Sequence, residues 1–238
     1  MRFTPPLQSA TLLRRYKRFL ADIRFDDGRE ETAHVANSGA MLGVDTPGAR
    51  VWVQAVGPGR KLPYSLKFVE TATSWAGVDT LIPNQLVGEA LRAQALLPFA
   101  AYAQIRAEAP YGARSRVDFL LSAPGLPDYY VEVKNCHLSR RPELAEFPDC
   151  LAARSARHMD ELSRMVDAGA RAAVVITVQR SDCTRFAPAA DIDPDFAAAF
   201  AMARRAGVEV FAYACRMSAD AITLADPVAI PALAAAAA

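Results

Sequence analysis

The chain has little from which to build a soft-metal site or a covalent frame. Its four cysteines, Cys136, Cys150, Cys183 and Cys215, stand far apart with no CxxC pair, and the histidines His34, His137 and His158 are equally dispersed. Such spacing excludes a zinc knuckle and a disulfide scaffold, and it fits reduced thiols in a cytoplasmic protein. No Gly-rich phosphate loop, nucleophile elbow or HExxH occurs, which removes the common nucleotide-hydrolase, serine-hydrolase and metalloprotease signatures. Apolar runs such as AQALLPFAAYA are too short to cross a bilayer, and the opening MRFTPPLQSA has no apolar signal core. A soluble chain with no membrane partner is expected. The formal charge is only +1, so any polyanion must be held by a local patch.

What is present changes character near residue 80. Before it, β-branched and aromatic residues alternate with turn signals. A strand is expected over residues 11–25, a tight turn at Asp26-Asp27-Gly28, and strands over 30–36 and 50–56. Asn37-Ser38-Gly39 reads as a turn. Short strands at this spacing suggest a small closed barrel over residues 1–80, with an OB-like barrel as one form. Residues 81–230 alternate differently. A helix over 83–97 precedes strands over 102–109, 115–122 and 129–136. An amphipathic helix over 149–168 follows, with Leu151, Met159, Leu162 and Val166 near its apolar face. A strand over 172–178, a helix opened by Asp193-Pro194 and a strand over 208–215 complete the pattern. The order predicts an α/β domain with a mixed central sheet. Residues 231–238 form an alanine-rich, low-complexity tail.

Within that second part, SRVDFLLSAPGLPDYYVEVKN threads Asp118, Glu132 and Lys134 through runs that otherwise read as buried strand. A buried charge is costly unless it is paired or holds a metal. Strand alternation puts Glu132 and Lys134 on one face, and a hairpin symmetric about Gly125 sets Asp118 opposite Glu132. Facing residues approach to roughly 5 Å at Cβ, so the two carboxylates repel unless a divalent cation lies between them. Oxygen ligands favour Mg²⁺ or Mn²⁺. With Lys134 added, the set suits phosphodiester hydrolysis. The competing reading is a cross-strand salt bridge on a solvated face, since a lone Glu-x-Lys carries little information.

The arrangement resembles the PD-(D/E)xK nuclease superfamily. Asp118 matches its metal aspartate, and Glu132 and Lys134 match its (D/E)xK pair. Glu89 on the first helix matches a glutamate that many members add. Val117 stands where the signature has proline. More motifs, in order, resemble the sugar fermentation stimulation protein A family: FTPPLQSATLLRRYKRFLADI, NSGAM, YGARSRVDFLL, YYVEVKN, FPD and TRFAPAADID. That resemblance implies an OB-like N-terminal domain, a nuclease-like C-terminal domain, DNA binding and a link to sugar use.

Basic residues complete the inventory. Arg14, Arg15, Lys17 and Arg18 interleave with Tyr16 and Phe19, a pattern suited to phosphates and stacked bases. Alternation is expected to bury Phe19. Arg154, Arg157, Glu161 and Arg164 share a helical face, and Arg114 and Arg116 flank the first metal strand. His158 reads most simply as a packed or surface histidine. Two functions are expected: a Mg²⁺- or Mn²⁺-dependent nuclease acting on single- or double-stranded DNA, or a non-catalytic DNA-binding regulator of sugar-metabolism genes. A homodimer is compatible with either.

Overall fold

The computed structural model describes residues 1–112 and 115–232. The expectations for Arg114 and for the alanine-rich tail from residue 233 fall outside the described residues.

Six strands form the first unit: β1 (Gln8–Tyr16), β2 (Leu20–Arg24), β3 (Glu30–Val35), β4 (Arg50–Ala55), β5 (Tyr64–Glu70) and the short β6 (Trp75–Gly77). Their order is β3-β2-β1-β4-β5-β6, and an added β3–β5 pairing closes five of them into an OB-like barrel. Alternation does the work: Leu12, Ile23, Ala33, Val35, Val51, Val53 and Leu66 all point into one core. The single strand expected over residues 11–25 is in fact β1 and β2, joined by a hairpin. Lys17 and Arg18 carry positive φ angles of 48° and 62° at its tip, a turn conformation that sequence signals normally assign to Gly or Asn. The turn displaces Phe19 from the alternation, and Phe19 is exposed, not buried.

The second unit begins with α1 (Ile82–Arg92), which ends five residues earlier than expected. Strands β7 (Gln104–Tyr111), β8 (Ser115–Ser122) and β9 (Tyr129–Cys136) follow, then β10 (Leu138–Arg141) and β11 (Glu143–Phe147). Next come α2 (Ala153–Asp167), β12 (Arg171–Val178), β13 (Cys183–Pro188), α3 (Pro194–Arg205), β14 (Glu209–Met217) and β15 (Ile222–Pro227). The central sheet runs β15-β14-β12-β9-β8-β7, and β10-β11-β13 form a separate small sheet. Strand β12 is parallel to β9 and β14, whereas the β7–β8 and β8–β9 pairs are antiparallel, so the sheet is mixed. Asp193 caps α3, its side chain accepting from Phe196 N, with Pro194 as the first helical residue. Met159 and Leu162 of α2 are buried against the sheet, but Leu151, expected on that face, lies before the helix and is exposed.

The two units are fastened beside the site. Gly77 N donates to Gln179 O at 2.8 Å, and Gln179 Nε2 donates to Asn135 Oδ1 at 2.7 Å and to Asp79 O at 3.3 Å. Ser74 and Ser181 hydroxyls meet at 3.0 Å. Among the described residues no helix is long and apolar enough to cross a membrane.

Candidate functional site

Strands β8 and β9 position the carboxylates. Their ladder pairs Phe119 with Val131, Leu120 with Tyr130 and Leu121 with Tyr129, and it ends one step short of Asp118 and Glu132, the pair expected to face each other. Asp118 Oδ2 there accepts from Val133 N at 2.7 Å, and its Oδ1 accepts from Asn84 Nδ2 at 2.6 Å. Burial, with the Glu132 charge behind it, pushes the Asp118 carboxyl up to about 6.

Glu132 is buried at 3 % exposure, and Lys134 at 9 %. Lys134 Nζ donates to Glu132 Oε1 at 2.5 Å, and His158 Nδ1 hydrogen-bonds the same oxygen. Burial alone raises a carboxyl, but the Lys134 charge and the His158 hydrogen bond outweigh it here and hold Glu132 below its usual range. Its second oxygen, Oε2, has no hydrogen-bond partner. Behind His158, Arg154 Nε reaches His158 Nε2 at 3.2 Å.

The solvated salt bridge is therefore not what β9 carries, because Glu132 and Lys134 are inside. His158 is packed, as expected, but packed onto Glu132. No motif in the sequence marked that contact, which arises when α2 packs on β9. Glu161, expected on the same polar face, is buried and accepts from Ser115 Oγ at 2.8 Å. Arg154 and Arg157 are exposed.

Glu89 lines a groove together with Asp118, Asn84 and Glu108, but its carboxylate takes the N-terminal ammonium of Met1 at 2.9 Å. The α1 side chain that reaches Asp118 is Asn84, which carries no motif signal. Arg116 donates to Glu108 O at 2.7 Å, at a residue of β7 whose φ is +52°.

In the barrel, the basic run divides by partner. Arg14 pairs with Asp22 at 2.7 Å, and Tyr16 also hydrogen-bonds Asp22. Arg15 donates to Ala40 O at 2.9 Å, Asn37 O at 3.1 Å and Gly39 O at 2.8 Å, so it pins the NSGAM loop. Lys17 and Arg18 stand exposed at the hairpin tip.

Whether the carboxylates suit a divalent cation can be tested on the side chains alone. Glu132 Oε2 is buried and has no hydrogen-bond partner among the described residues, and all the donor atoms of the two carboxylates are hard oxygens. No cluster of three or more His, Cys, Asp or Glu side chains is set for a metal among the described residues. Two carboxylates suit Mg²⁺ or Mn²⁺, which keep waters or phosphate oxygens in their remaining positions. The residues fit such an ion.

Comparison with known proteins gives consistent matches along the chain. Residues 13–78 match the family model described as the SfsA N-terminal OB domain, and residues 81–221 match the sugar fermentation stimulation protein RE domain. A sugar fermentation stimulation protein homolog of Caulobacter vibrioides is 52% identical over 221 residues, covering 92% of each chain. One from Rhodospirillum centenum is 51% identical over 223 residues, covering 93% of this chain and 96% of its own. Among solved structures, Pyrococcus furiosus SfsA in complex with Ca²⁺ aligns with a TM-score of 0.88 at 27% identity, covering 98% of both chains.

Proposed function

This chain belongs to the sugar fermentation stimulation protein family, and we propose that it is a DNA-binding, Mg²⁺- or Mn²⁺-dependent phosphodiesterase whose site is Asp118, Glu132 and Lys134. The observation that carries the reading is the set itself: the half-buried Asp118 and the buried Glu132 on neighbouring strands, Glu132 with one oxygen that lacks a hydrogen-bond partner among the described residues, beside the buried Lys134. The Ca²⁺ in the Pyrococcus furiosus relative supports a hard-cation site in this fold.

Asp118 and Glu132 would hold the ion, with Asn84 orienting Asp118 and His158 orienting Glu132. When bound, a cation of this kind polarises a phosphoryl oxygen and lowers the pKa of a water. The chain's own contribution is charge and orientation. Lys134, anchored on the rigid β9, presents an ammonium where negative charge grows during attack on phosphorus, and it stabilises the transition state more than the ground state. Burial sharpens that effect by excluding water from the charges. Exposed Lys17, Arg18, Arg154 and Arg157 are available for the phosphate backbone. Arg15 instead serves the loop that it pins.

A regulator without catalysis is the second reading, and the family name favours it. Against it stands the cost of burying Glu132 beside the half-buried Asp118, two acids that repel DNA phosphate and give a pure binder nothing. Incubating the purified chain with labelled single- and double-stranded DNA tests the proposal. Scission in Mg²⁺ or Mn²⁺ that EDTA stops is the expected result. Binding with no scission of any strand form in either metal would leave the regulator reading.

A further inference from the structure

Between the barrel loop 37–41 and the end of β9 lies a cleft of about 280 Å³, beginning at Lys134. One wall is Asn37, Ser38 and Gly39 of the barrel; the other is Asn135 and His137 beyond Lys134. Three features of this cleft are not used by the hydrolytic set.

The first is its charge. Lys134 is its one cationic wall residue, while Asp149 is held against the barrel loop by Met41 N at 2.7 Å. The polar part of the remaining lining is amides, hydroxyls and an imidazole. A phosphate fits beside Lys134, but a second phosphate deeper in the cleft would meet the Asp149 carboxylate. A neutral occupant with both donors and acceptors on its edge meets no such penalty.

The second is an unused polar atom. His137 is 5 % exposed, yet its Nε2 has no hydrogen-bond partner; it lies 3.4 Å from Asp149 Oδ2 without the alignment of a hydrogen bond. A buried polar atom left unpaired costs about 1–3 kcal/mol, a cost that a ligand atom would remove.

The third is size and rigidity. The volume is near the lower limit of small-molecule clefts, roughly 300 Å³, enough for one base or nucleoside and far too small for a duplex. Pro83 and Phe147 add apolar surface to the lining. Arg15 fixes the outer wall through three backbone carbonyls, and Gly39 packs so closely that a Cβ there would lie 2.8 Å from Asp149 Oδ1.

We infer that this cleft seats one unstacked nucleobase of the strand whose phosphate lies at Lys134, its edge read by the Asn135 and His137 side of the cleft. The inference rests on the reading of Lys134 as the phosphate residue. It makes the chain a reader of unpaired or extruded bases, and it gives the barrel a part in substrate choice.

Short ligands test it, because they cannot bind elsewhere along a strand. The full chain, free of metal, is titrated with a trinucleotide of deoxyadenosines and with the same trinucleotide lacking its middle base. The base-containing ligand should bind about five- to 150-fold more tightly, the gain expected of one seated base. Ser38→Trp, at an exposed position on the cleft wall, should erase that difference while leaving affinity for the abasic ligand unchanged. Equal affinity of the two trinucleotides for the wild-type chain overturns the inference without recourse to any variant. So does a Ser38→Trp protein that folds and keeps the full difference. Scission of long DNA in Mg²⁺ is read separately. Scission together with equal trinucleotide affinities sinks the base seat alone, whereas a retained base preference without scission sinks the nuclease reading alone.

Discussion

Lys134→Ala should lower the proposed metal-dependent cleavage by about 10²–10³-fold, the loss typical of removing one preorganised donor to a charge that forms in the transition state. DNA binding changes far less, by about one phosphate contact, or roughly 0.9 in the log–log salt slope. The split follows from geometry. Lys134 is buried on β9 and bonded to Glu132 at 2.5 Å, so on the proposed reading it would meet the reacting phosphate and not the general run of the backbone. Glu132→Gln should also stop cleavage, yet bind DNA as well as or better than the wild type, because it removes a carboxylate that repels phosphate. Single-turnover cleavage and fluorescence anisotropy on the same preparations separate the two effects. A Lys134→Ala chain that loses binding and cleavage in equal proportion would mean that the lysine serves ground-state affinity only. Because the variant leaves Glu132 with His158 as its remaining partner, a thermal melt must accompany the kinetics.

The largest effect on stability is expected at an uncharged position, Gly77. A Cβ there would lie 2.3 Å from Gln179 Oε1 and 2.7 Å from Gln179 Cβ, and Gln179 is fully buried. The clash reaches the root of the side chain, so rotating its amide cannot relieve it. Gly77 does not have the left-handed φ that would make alanine unfavourable by backbone strain, so the effect reports packing alone. Overpacking of this kind costs about 1–3 kcal/mol, and displacing Gln179 also breaks its hydrogen bonds to Asn135 and Asp79, at about 1 kcal/mol each. Gly77→Ala should therefore destabilise the chain by about 3–5 kcal/mol, read as a lower urea midpoint. A midpoint within error of the wild type would show that the barrel and the sheet are not locked together at Gln179.

How much of this could be read from the chain depended on periodicity. The barrel and the α-β-β-β-α-β-α-β core were legible because their strands alternate, their helices are amphipathic and α3 carries the Asp193-Pro194 cap. The β1–β2 hairpin was not, because its tip is Lys17-Arg18 and no turn residue announces it. The small sheet β10-β11-β13 was missed because LSRR, ELAEF and CTRFAP are short and mostly polar or irregular. At the site, Asp118, Glu132 and Lys134 stood out because charges interrupt apolar strands. Asn84, His158 and His137 did not, since each reaches the site from a separate element, and only tertiary packing joins them. Arg15 looked like a phosphate ligand by composition, but its guanidinium is occupied by carbonyls brought from 22 to 25 residues away.

The central claim is that Asp118 and Glu132 together form a divalent-cation site, and calorimetric titration of the purified chain with Mn²⁺ tests it most directly. The account predicts a saturable site close to one ion per chain, absent in Asp118→Asn while circular dichroism shows the variant folded. Equal Mn²⁺ affinity in the wild type and in Asp118→Asn would contradict it.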